Sequence, residues 1–200
     1  MIKNLIFDAG GVLIGYRWEE MFSEKGISSN IANRIGDGIF HEEGWNKFDA
    51  GLITLEEIVD DFCNKNKDIE KETRWFIDNA ILMRVKRPRV YEKLRILKEK
   101  GYKLFVLSNY SKRLFDLHLN DIGVRELMDG EVISYQIHKL KPEQEIYDEL
   151  INRYSLNRDE CIFFDDREEN VNAAIKYGIN AVKITDQNEE VLLQELDKFL

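Results

Sequence analysis

The spacing of apolar and polar positions divides the chain into three parts. A short apolar run at residues 5–7 predicts a buried strand. Between residue 18 and about residue 86, apolar positions recur at mixed spacings of three and four, which is typical of helices. From Pro88 to the end of the sequence, helical patterns alternate with short apolar runs, so this part predicts alternating helices and strands.

The middle part is predicted to be entirely helical. Thr54, followed three residues later by Glu57, has the spacing of a capping box and marks the start of one helix. The predicted helices cover residues 18–25, 27–35, 54–64 and 71–81, with no strand between them. A helical block of this length after a single strand predicts a small all-helical cap domain over residues 15–86.

The last part predicts a parallel sheet with helices on both faces, because parallel neighbours need crossover helices. The predicted strands cover residues 102–107, 130–134, 161–164 and 181–184. The predicted helices cover residues 88–100, 111–120, 142–154 and 167–177, and a last helix begins at Asn188. Together with the first strand, these elements predict an α/β core domain of residues 1–14 and 87–200.

The composition of the 200 residues is that of a soluble globular protein, with 44% hydrophobic and 34% charged residues. The formal charge of -9 argues against broad binding to nucleic acid or anionic membranes, although it allows one local cationic pocket. Asp8 interrupts the first apolar run too early for a signal peptide, and no run approaches a membrane span, so a cytoplasmic location is expected. Cys63 and Cys161 lie in unlike contexts and are expected to be reduced thiols.

Residues that can bind phosphate or metal follow the predicted strands. Asp8 follows the first strand at a point where two glycines allow a sharp turn. The others are Ser108 and Asn109, Lys141, and the pair Asp165 and Asp166. Because the carboxyl ends of parallel strands share one edge of a sheet, these groups are expected to converge on one crevice. Taken singly, each could instead cap a turn or a helix or lie in solvent, and their coincidence at aligned strand ends favours a site.

Four segments resemble, in order and position, the signature motifs of the haloacid dehalogenase-like (HAD) hydrolase superfamily. They are residues 7–12 (Phe-Asp-Ala-Gly-Gly-Val), 107–109 (Leu-Ser-Asn), 141–147 (Lys-Pro-Glu-x-x-Ile-Tyr) and 163–174 (Phe-Phe-Asp-Asp-x-x-x-Asn-Val-x-Ala-Ala). The four motifs cover the whole chain, with the predicted cap between the first and the second. The resemblance implies a Rossmann-like sheet with a helical cap.

The resemblance also implies a Mg²⁺-dependent phosphatase that acts through a covalent aspartyl-phosphate on Asp8. Mg²⁺ would be held by the Asp8 carboxylate, the Gly10 backbone carbonyl and Asp166, with Asp165 as a direct or water-mediated ligand. Lys141 would offset negative charge on the nucleophile and the phosphate. The implied phosphate donors are Ser108, Asn109 and Gly11, and the implied substrate is a small phosphorylated metabolite.

Gly10 departs from the usual first motif, which has a second aspartate at this position as acid and base. Three explanations remain open. The chain could belong to the sugar-phosphatase-like branch with Asp-x-Gly, whose anomeric leaving group needs little protonation, and this is our first hypothesis. A residue of the cap could replace the acid, the candidates being His41, Glu42, Glu43 and Asp49. The protein could also have lost efficient turnover and kept phosphate binding.

Two alternatives to a phosphatase follow from the same motifs. Dehalogenases of the superfamily also lack the second aspartate but use no metal, so the pair Asp165 and Asp166 argues against a metal-independent 2-haloacid dehalogenase. A phosphometabolite-binding protein of low activity would need no nucleophile, so the presence of Asp8 argues against it. Candidate specificity residues of the cap are His41 and Trp45, together with Tyr16, Arg17 and Trp18 just past the glycine turn. The sequence leaves monomer or dimer undecided.

Overall fold

The architecture is a parallel sheet surrounded by helices in a computed structural model that describes residues 1–40, 43–185 and 189–200. The strands are β1 (Asn4–Phe7), β2 (Gly15–Tyr16), β3 (Arg84–Val85), β4 (Lys103–Ser108), β5 (Gly130–Ile133), β6 (Cys161–Asp165) and β7 (Asn180–Lys183). The helices are α1 (Trp18–Glu24), α2 (Ser29–Phe40), α3 (Glu43–Asp49), α4 (Leu55–Lys65), α5 (Glu70–Asp78), α6 (Pro88–Glu99), α7 (Lys112–Leu119), α8 (Ser134–Ile137), α9 (Gln144–Arg153), α10 (Glu168–Lys176) and α11 (Glu190–Asp197). Short 3-10 turns lie at Lys67–Ile69, Ala80–Met83, Arg125–Leu127 and Arg158–Glu160.

The main sheet has the strand order β5-β4-β1-β6-β7, and all its pairs are parallel. The first strand of the chain therefore lies at the centre. In the register of the sheet, Phe7 is paired with Val106 of β4 and with Phe164 of β6. The residues that follow these three strands therefore meet at the same edge of the sheet.

Both faces of the sheet are covered, because successive side chains of a strand point to opposite sides. Leu5 and Phe7 belong to a cluster that includes apolar residues of α6, α7 and α11. Ile6, between them, belongs to a second cluster with residues of α9 and α10. The α/β fold class with helices on both faces is confirmed.

The segment between β1 and β4 is mostly helical, as predicted, and α1 to α5 pack chiefly on one another. Thr54 caps α4, and its hydroxyl accepts the Glu57 backbone N–H while the Glu57 carboxylate accepts the Thr54 N–H, so the capping box is confirmed. The prediction of no strand here is wrong. The short strands β2 and β3 pair antiparallel at the base of the segment, and two residues are too few to show alternation.

Other boundaries differ by a few residues. The helix α3 and the single turn α8 were not predicted. The predicted start of the last helix, Asn188, lies outside the described residues, and α11 begins at Glu190. Both cysteines are buried free thiols. None of the helices in the described ranges has both the length and the apolar character needed to cross a membrane.

Candidate active site

Three carboxylates meet at the edge of the sheet where β1 and β6 end. One oxygen of each of Asp8, Asp165 and Asp166 lies within 4.8 Å of the others. The central position of β1 explains this arrangement, because Asp8 follows a strand that pairs directly with β6. The sequence prediction that these residues converge is confirmed as geometry.

The two carboxylate oxygens of Asp8 have different surroundings. Oδ1 accepts the Ser108 hydroxyl at 2.5 Å and the Ala9 backbone N–H at 2.7 Å. The ammonium of Lys141 lies 3.0 Å from the same oxygen. Oδ2 makes no hydrogen bond to any described residue. One oxygen of Asp8 is therefore fixed by three donors, and the other is free to react or to bind a cation.

Lys141 is buried, and each of its ammonium protons has an acceptor. Nζ donates to Asp165 Oδ2 at 2.6 Å and to the Leu107 carbonyl at 3.1 Å, and it lies 3.0 Å from Asp8 Oδ1. Burial disfavours the ammonium, but the charges of Asp165 and Asp8 outweigh burial and raise the pKa of Lys141. Lys141 is thus a fixed positive charge between two carboxylates.

The neighbours Asp165 and Asp166 differ sharply in their contacts. Asp165 is fully buried, and its oxygens accept from Lys141, the Arg167 backbone N–H at 2.8 Å and the Asn170 amide at 3.0 and 3.1 Å. Asp166 faces outward from the same edge, and burial together with the Asp165 charge raises its pKa. Asp165 therefore orients Lys141, while Asp166 has oxygens available for a cation.

Asn109 joins two loops of the site. Its amide donates to the Lys141 carbonyl at 2.9 Å, and its side-chain oxygen accepts the Lys141 N–H at 2.7 Å. This reciprocal pair fixes the backbone that carries the lysine. The side chain of Asn109 is therefore a positioning group, and its backbone N–H stays the predicted phosphate donor.

The charge balance of the cluster is unfavourable without a cation. Burial raises the pKa of Asp8 to about 7, with Lys141 opposing this effect and Asp165 and Asp166 adding to it. Three carboxylates with a single ammonium leave excess negative charge in a poorly solvated place. An all-oxygen donor set is what Mg²⁺ prefers. The residues present therefore fit a magnesium ion.

The glycines of the first motif are required by their neighbours. Gly11 has φ of +73°, and a Cβ there would lie 2.5 Å from Asp166 Oδ2. A Cβ on Gly10 would lie 2.5 Å from the Tyr16 hydroxyl and 3.1 Å from its ring. Tyr16 therefore occupies the space that an acidic side chain at position 10 would enter.

The hydroxyl of Tyr16 is held by a chain of hydrogen bonds. It lies 2.6 Å from the Tyr110 hydroxyl, which lies 2.7 Å from His118 Nδ1, and His118 Nε2 lies 3.0 Å from the Ala80 carbonyl. A carbonyl only accepts, so Nε2 carries the proton. Burial lowers the pKa of His118, so its Nδ1 is unprotonated and accepts from Tyr110. Tyr110 then accepts from Tyr16, which directs the Tyr16 proton away from Gly10.

A cavity of about 210 Å³ opens beside the cluster, between the helical segment and the sheet edge. Its polar lining groups include Tyr16, Asp49 and Asn109. Its apolar walls are Trp18, Phe40, Trp45, Met83 and Leu114, with the ring of Tyr110. Trp45 also packs edge-on against Phe40 at 4.7 Å between ring centroids, so it is both a wall and a core residue.

The other predicted cap residues are scattered. Arg17 pairs with Glu24 and is not among the residues that line the cavity. His41 and Glu42 lie outside the described residues. Glu43 is exposed and pairs with Lys47, so it does not line the cavity.

Sequence reasoning missed Tyr110 and its chain of hydrogen bonds. The position of Tyr110 directly after the second motif was the only signal for it.

The comparisons with known proteins agree with the fold. The family model described as haloacid dehalogenase-like hydrolase matches residues 2–178, and the chain belongs to this family. It is 25% identical over 186 residues to a sesquiterpene phosphatase, astK, of Aspergillus oryzae, spanning 92% of this chain and 90% of that protein. It is 22% identical over 193 residues to a D-ribitol-5-phosphate phosphatase of Bacteroides thetaiotaomicron, spanning 89% of each.

A solved structure is also similar. It is a HAD family enzyme from Bacteroides thetaiotaomicron in complex with magnesium and inorganic phosphate, at a TM-score of 0.71 and 25% identity, covering 96% of this chain and 99% of that one. The predicted superfamily is confirmed. Family and relatives together make the chain a phosphatase, that is, a phosphoric monoester hydrolase.

Proposed function

We propose that this protein is a Mg²⁺-dependent phosphatase that hydrolyses a small phosphorylated metabolite through a covalent aspartyl-phosphate on Asp8. The observation that carries the proposal is the asymmetry of Asp8. Its Oδ1 is fixed by Ser108, Ala9 and Lys141, while Oδ2 has no hydrogen-bond partner among the described residues. A positioned carboxylate with one free oxygen next to an acidic cluster fits nucleophilic attack on phosphorus.

Mg²⁺ would be held by Asp8, the Gly10 carbonyl and Asp166. Asp165 would act through water or only through Lys141, because protein donors already occupy both its oxygens. When bound, the ion neutralises charge on the phosphate and on Asp8. The crystal complex of the Bacteroides enzyme with magnesium and phosphate supports this assignment.

The chain's own residues supply the remaining chemistry. Lys141 offsets the charge that builds up as the Asp8 carboxylate approaches a phosphate dianion. The Ser108 hydroxyl can rotate from Asp8 to a phosphate oxygen without moving its backbone. The backbone N–H groups of Gly11 and Asn109 complete the set of phosphate donors.

Residues 15–86 are proposed to form a cap domain, and residues 1–14 and 87–200 the core domain. The cavity between the helical segment and the sheet edge supports this division, since closure over it would exclude bulk water from the phosphate.

The leaving group is proposed to lie against Trp45 in the cavity. A sugar or sugar alcohol stays the favoured class, and the similarity to the D-ribitol-5-phosphate phosphatase supports it. The mostly apolar walls equally accommodate an apolar group. Because one relative is a sesquiterpene phosphatase, a prenyl phosphate should be tested beside the sugar phosphates.

The experiment is phosphate release from sugar, prenyl and aryl phosphates, with Mg²⁺ and after chelation. We expect release that requires the metal and disappears in Asp8→Asn. Release that is unaffected by chelation and by Asp8→Asn would contradict the proposal. A halide-releasing activity toward 2-haloacids that is insensitive to chelation would favour the dehalogenase alternative instead.

A further inference from the structure

Asp49 ends α3 with its side chain in the cavity. It is the one residue among the four candidate cap acids that the described structure places there, since Glu43 is exposed and His41 and Glu42 fall outside the described ranges. Asp49 shares the cavity wall with Tyr16 and Asn109, the two residues that border the Asp8 cluster. A carboxyl group therefore lies on the leaving-group side of the proposed phosphate site.

The core of the protein fixes Asp49 in place. Its Oδ1 accepts the Ser111 backbone N–H at 3.0 Å, and its backbone carbonyl accepts the Ser134 hydroxyl at 2.5 Å. The next residue, Ala50, accepts from His138 Nδ1 at 2.8 Å. These contacts tie the end of α3 to the core side of the cavity. Among the described residues, Asp49 Oδ2 has no hydrogen-bond partner and is left to a ligand.

We propose that Asp49 is the general acid and base that replaces the side chain missing at Gly10. This inference rests on the proposed phosphatase function and adds a catalytic residue to it. Tyr16 blocks the usual position of the acid, and Asp49 supplies the same chemical group to the cavity from the end of α3.

The proposed reaction has two steps, and Asp49 gives a proton in the first and takes one back in the second. In the first, Asp8 Oδ2 forms a bond to phosphorus, the bond from phosphorus to the ester oxygen breaks, and the Asp49 carboxyl gives its proton to that oxygen. In the second, a water oxygen bonds to phosphorus, the bond from phosphorus to Asp8 breaks, and the Asp49 carboxylate takes a proton from the water. Alcohol and phosphate leave, and both aspartates return to their starting states.

The electrostatic surroundings suit this double role. Burial raises the pKa of Asp49 to about 7, with the Asp8 charge adding to the effect and the Ser111 N–H, Lys141 and Arg167 opposing it. The phenols of Tyr16 and Tyr110 face the same carboxyl group and stay neutral, because burial raises their pKa values further above 10. A carboxyl group that titrates near neutral pH can both donate and accept a proton during turnover.

The test is leaving-group dependence in Asp49→Asn, which keeps the acceptor for the Ser111 N–H. We expect kcat/KM for an alkyl phosphate to fall by about 100-fold or more, while that for p-nitrophenyl phosphate falls by less than about tenfold, because nitrophenolate leaves without a proton. The variant should also release a burst of about one equivalent of nitrophenolate before slow turnover, because hydrolysis of the aspartyl-phosphate lacks its base. Asp37→Asn, an exposed aspartate of α2, is the matched control and should match the wild type.

Equal losses for both substrates, or no loss for either, would overturn the role of Asp49. A second variant, Asp49→Ala, is used if the Asp49→Asn protein does not fold. Formate should restore its alkyl phosphatase activity, and failure of rescue in a folded Asp49→Ala would also overturn the role. An inactive wild type would overturn the proposed function itself, which separates the two failures.

Discussion

The hydroxyl of Tyr16 stands 2.5 Å from the point that a Cβ on Gly10 would occupy. The glycine and the tyrosine are therefore a matched pair. Tyr16 cannot retreat freely, because its hydroxyl is bonded to Tyr110, which is bonded in turn to His118. This contact leaves no room for the usual aspartate of the first motif at position 10, and under the proposal above Asp49 takes over its role.

Restoring the usual aspartate alone should fail. Gly10→Asp forces its side chain against Tyr16, and overpacking of this kind costs about 1–3 kcal/mol. We expect Tm to fall by roughly 2–4 °C for each kcal/mol, with no gain in phosphate release. The double variant Gly10→Asp/Tyr16→Ala should have a higher Tm than the single variant Gly10→Asp. A single Gly10→Asp variant with wild-type Tm and faster turnover would show that the pair is not coupled.

Replacing the neighbours Asp165 and Asp166 by asparagine should change two different properties, stability and metal binding. Asp165→Asn removes a charged partner of buried Lys141, so we expect the free energy of unfolding to fall by roughly 2 kcal/mol. Asp166→Asn should leave stability nearly unchanged and weaken Mg²⁺ binding by at least about tenfold. Denaturant titration and calorimetry with Mg²⁺ measure the two effects. Equal metal affinity in Asp166→Asn would remove it from the ligand set.

Asp49 should make stability depend on pH with a defined sign. Its pKa rises from 3.8 to about 7 on folding, so the folded protein holds a proton that the unfolded chain releases between these values. Stability therefore falls as pH rises through this window. We expect Asp49→Asn to have a higher Tm than the wild type at pH 8 and a smaller advantage at pH 5. The same Tm difference at both pH values would contradict a raised pKa, and Asp37→Asn serves as the control.

Trp45 should affect substrate choice more than chemistry. It lines the cavity while packing on Phe40 and Phe48. We expect Trp45→Leu to raise KM for the preferred substrate by about tenfold, since a lost aromatic contact is worth about 1 kcal/mol or more. Its kcat for p-nitrophenyl phosphate should change little. Unchanged KM values across the substrate panel would place the substrate elsewhere.

The convergence of Asp8, Ser108, Lys141 and Asp165 could be predicted from the sequence. Each follows an apolar run, and the parallel register of β1, β4, β5 and β6 brings the ends of these runs to one edge. The family motifs then gave each residue a predicted role, and these roles stay predictions that the variants above test.

The cap side of the site could not be predicted in the same way. Asp49 stood in the sequence beside three other candidate acids, and only the packing of α3 against Ser111 and Ser134 shows which one faces the cavity. The sequence predicts Tyr16 as a candidate specificity residue. Its contact with the Gly10 position, however, depends on the pairing of β2 with β3, which the sequence pattern does not predict. Such contacts between distant segments leave no periodic signal.

The most direct measurement is the detection of a phosphoryl group on Asp8. The enzyme would be mixed with p-nitrophenyl phosphate and Mg²⁺, quenched in acid within the first turnover, digested and examined by mass spectrometry. The proposed mechanism predicts one added phosphoryl group on the peptide that contains Asp8, in greater amount in Asp49→Asn and absent in Asp8→Asn. Full turnover in Asp8→Asn without any phosphorylated peptide would contradict it.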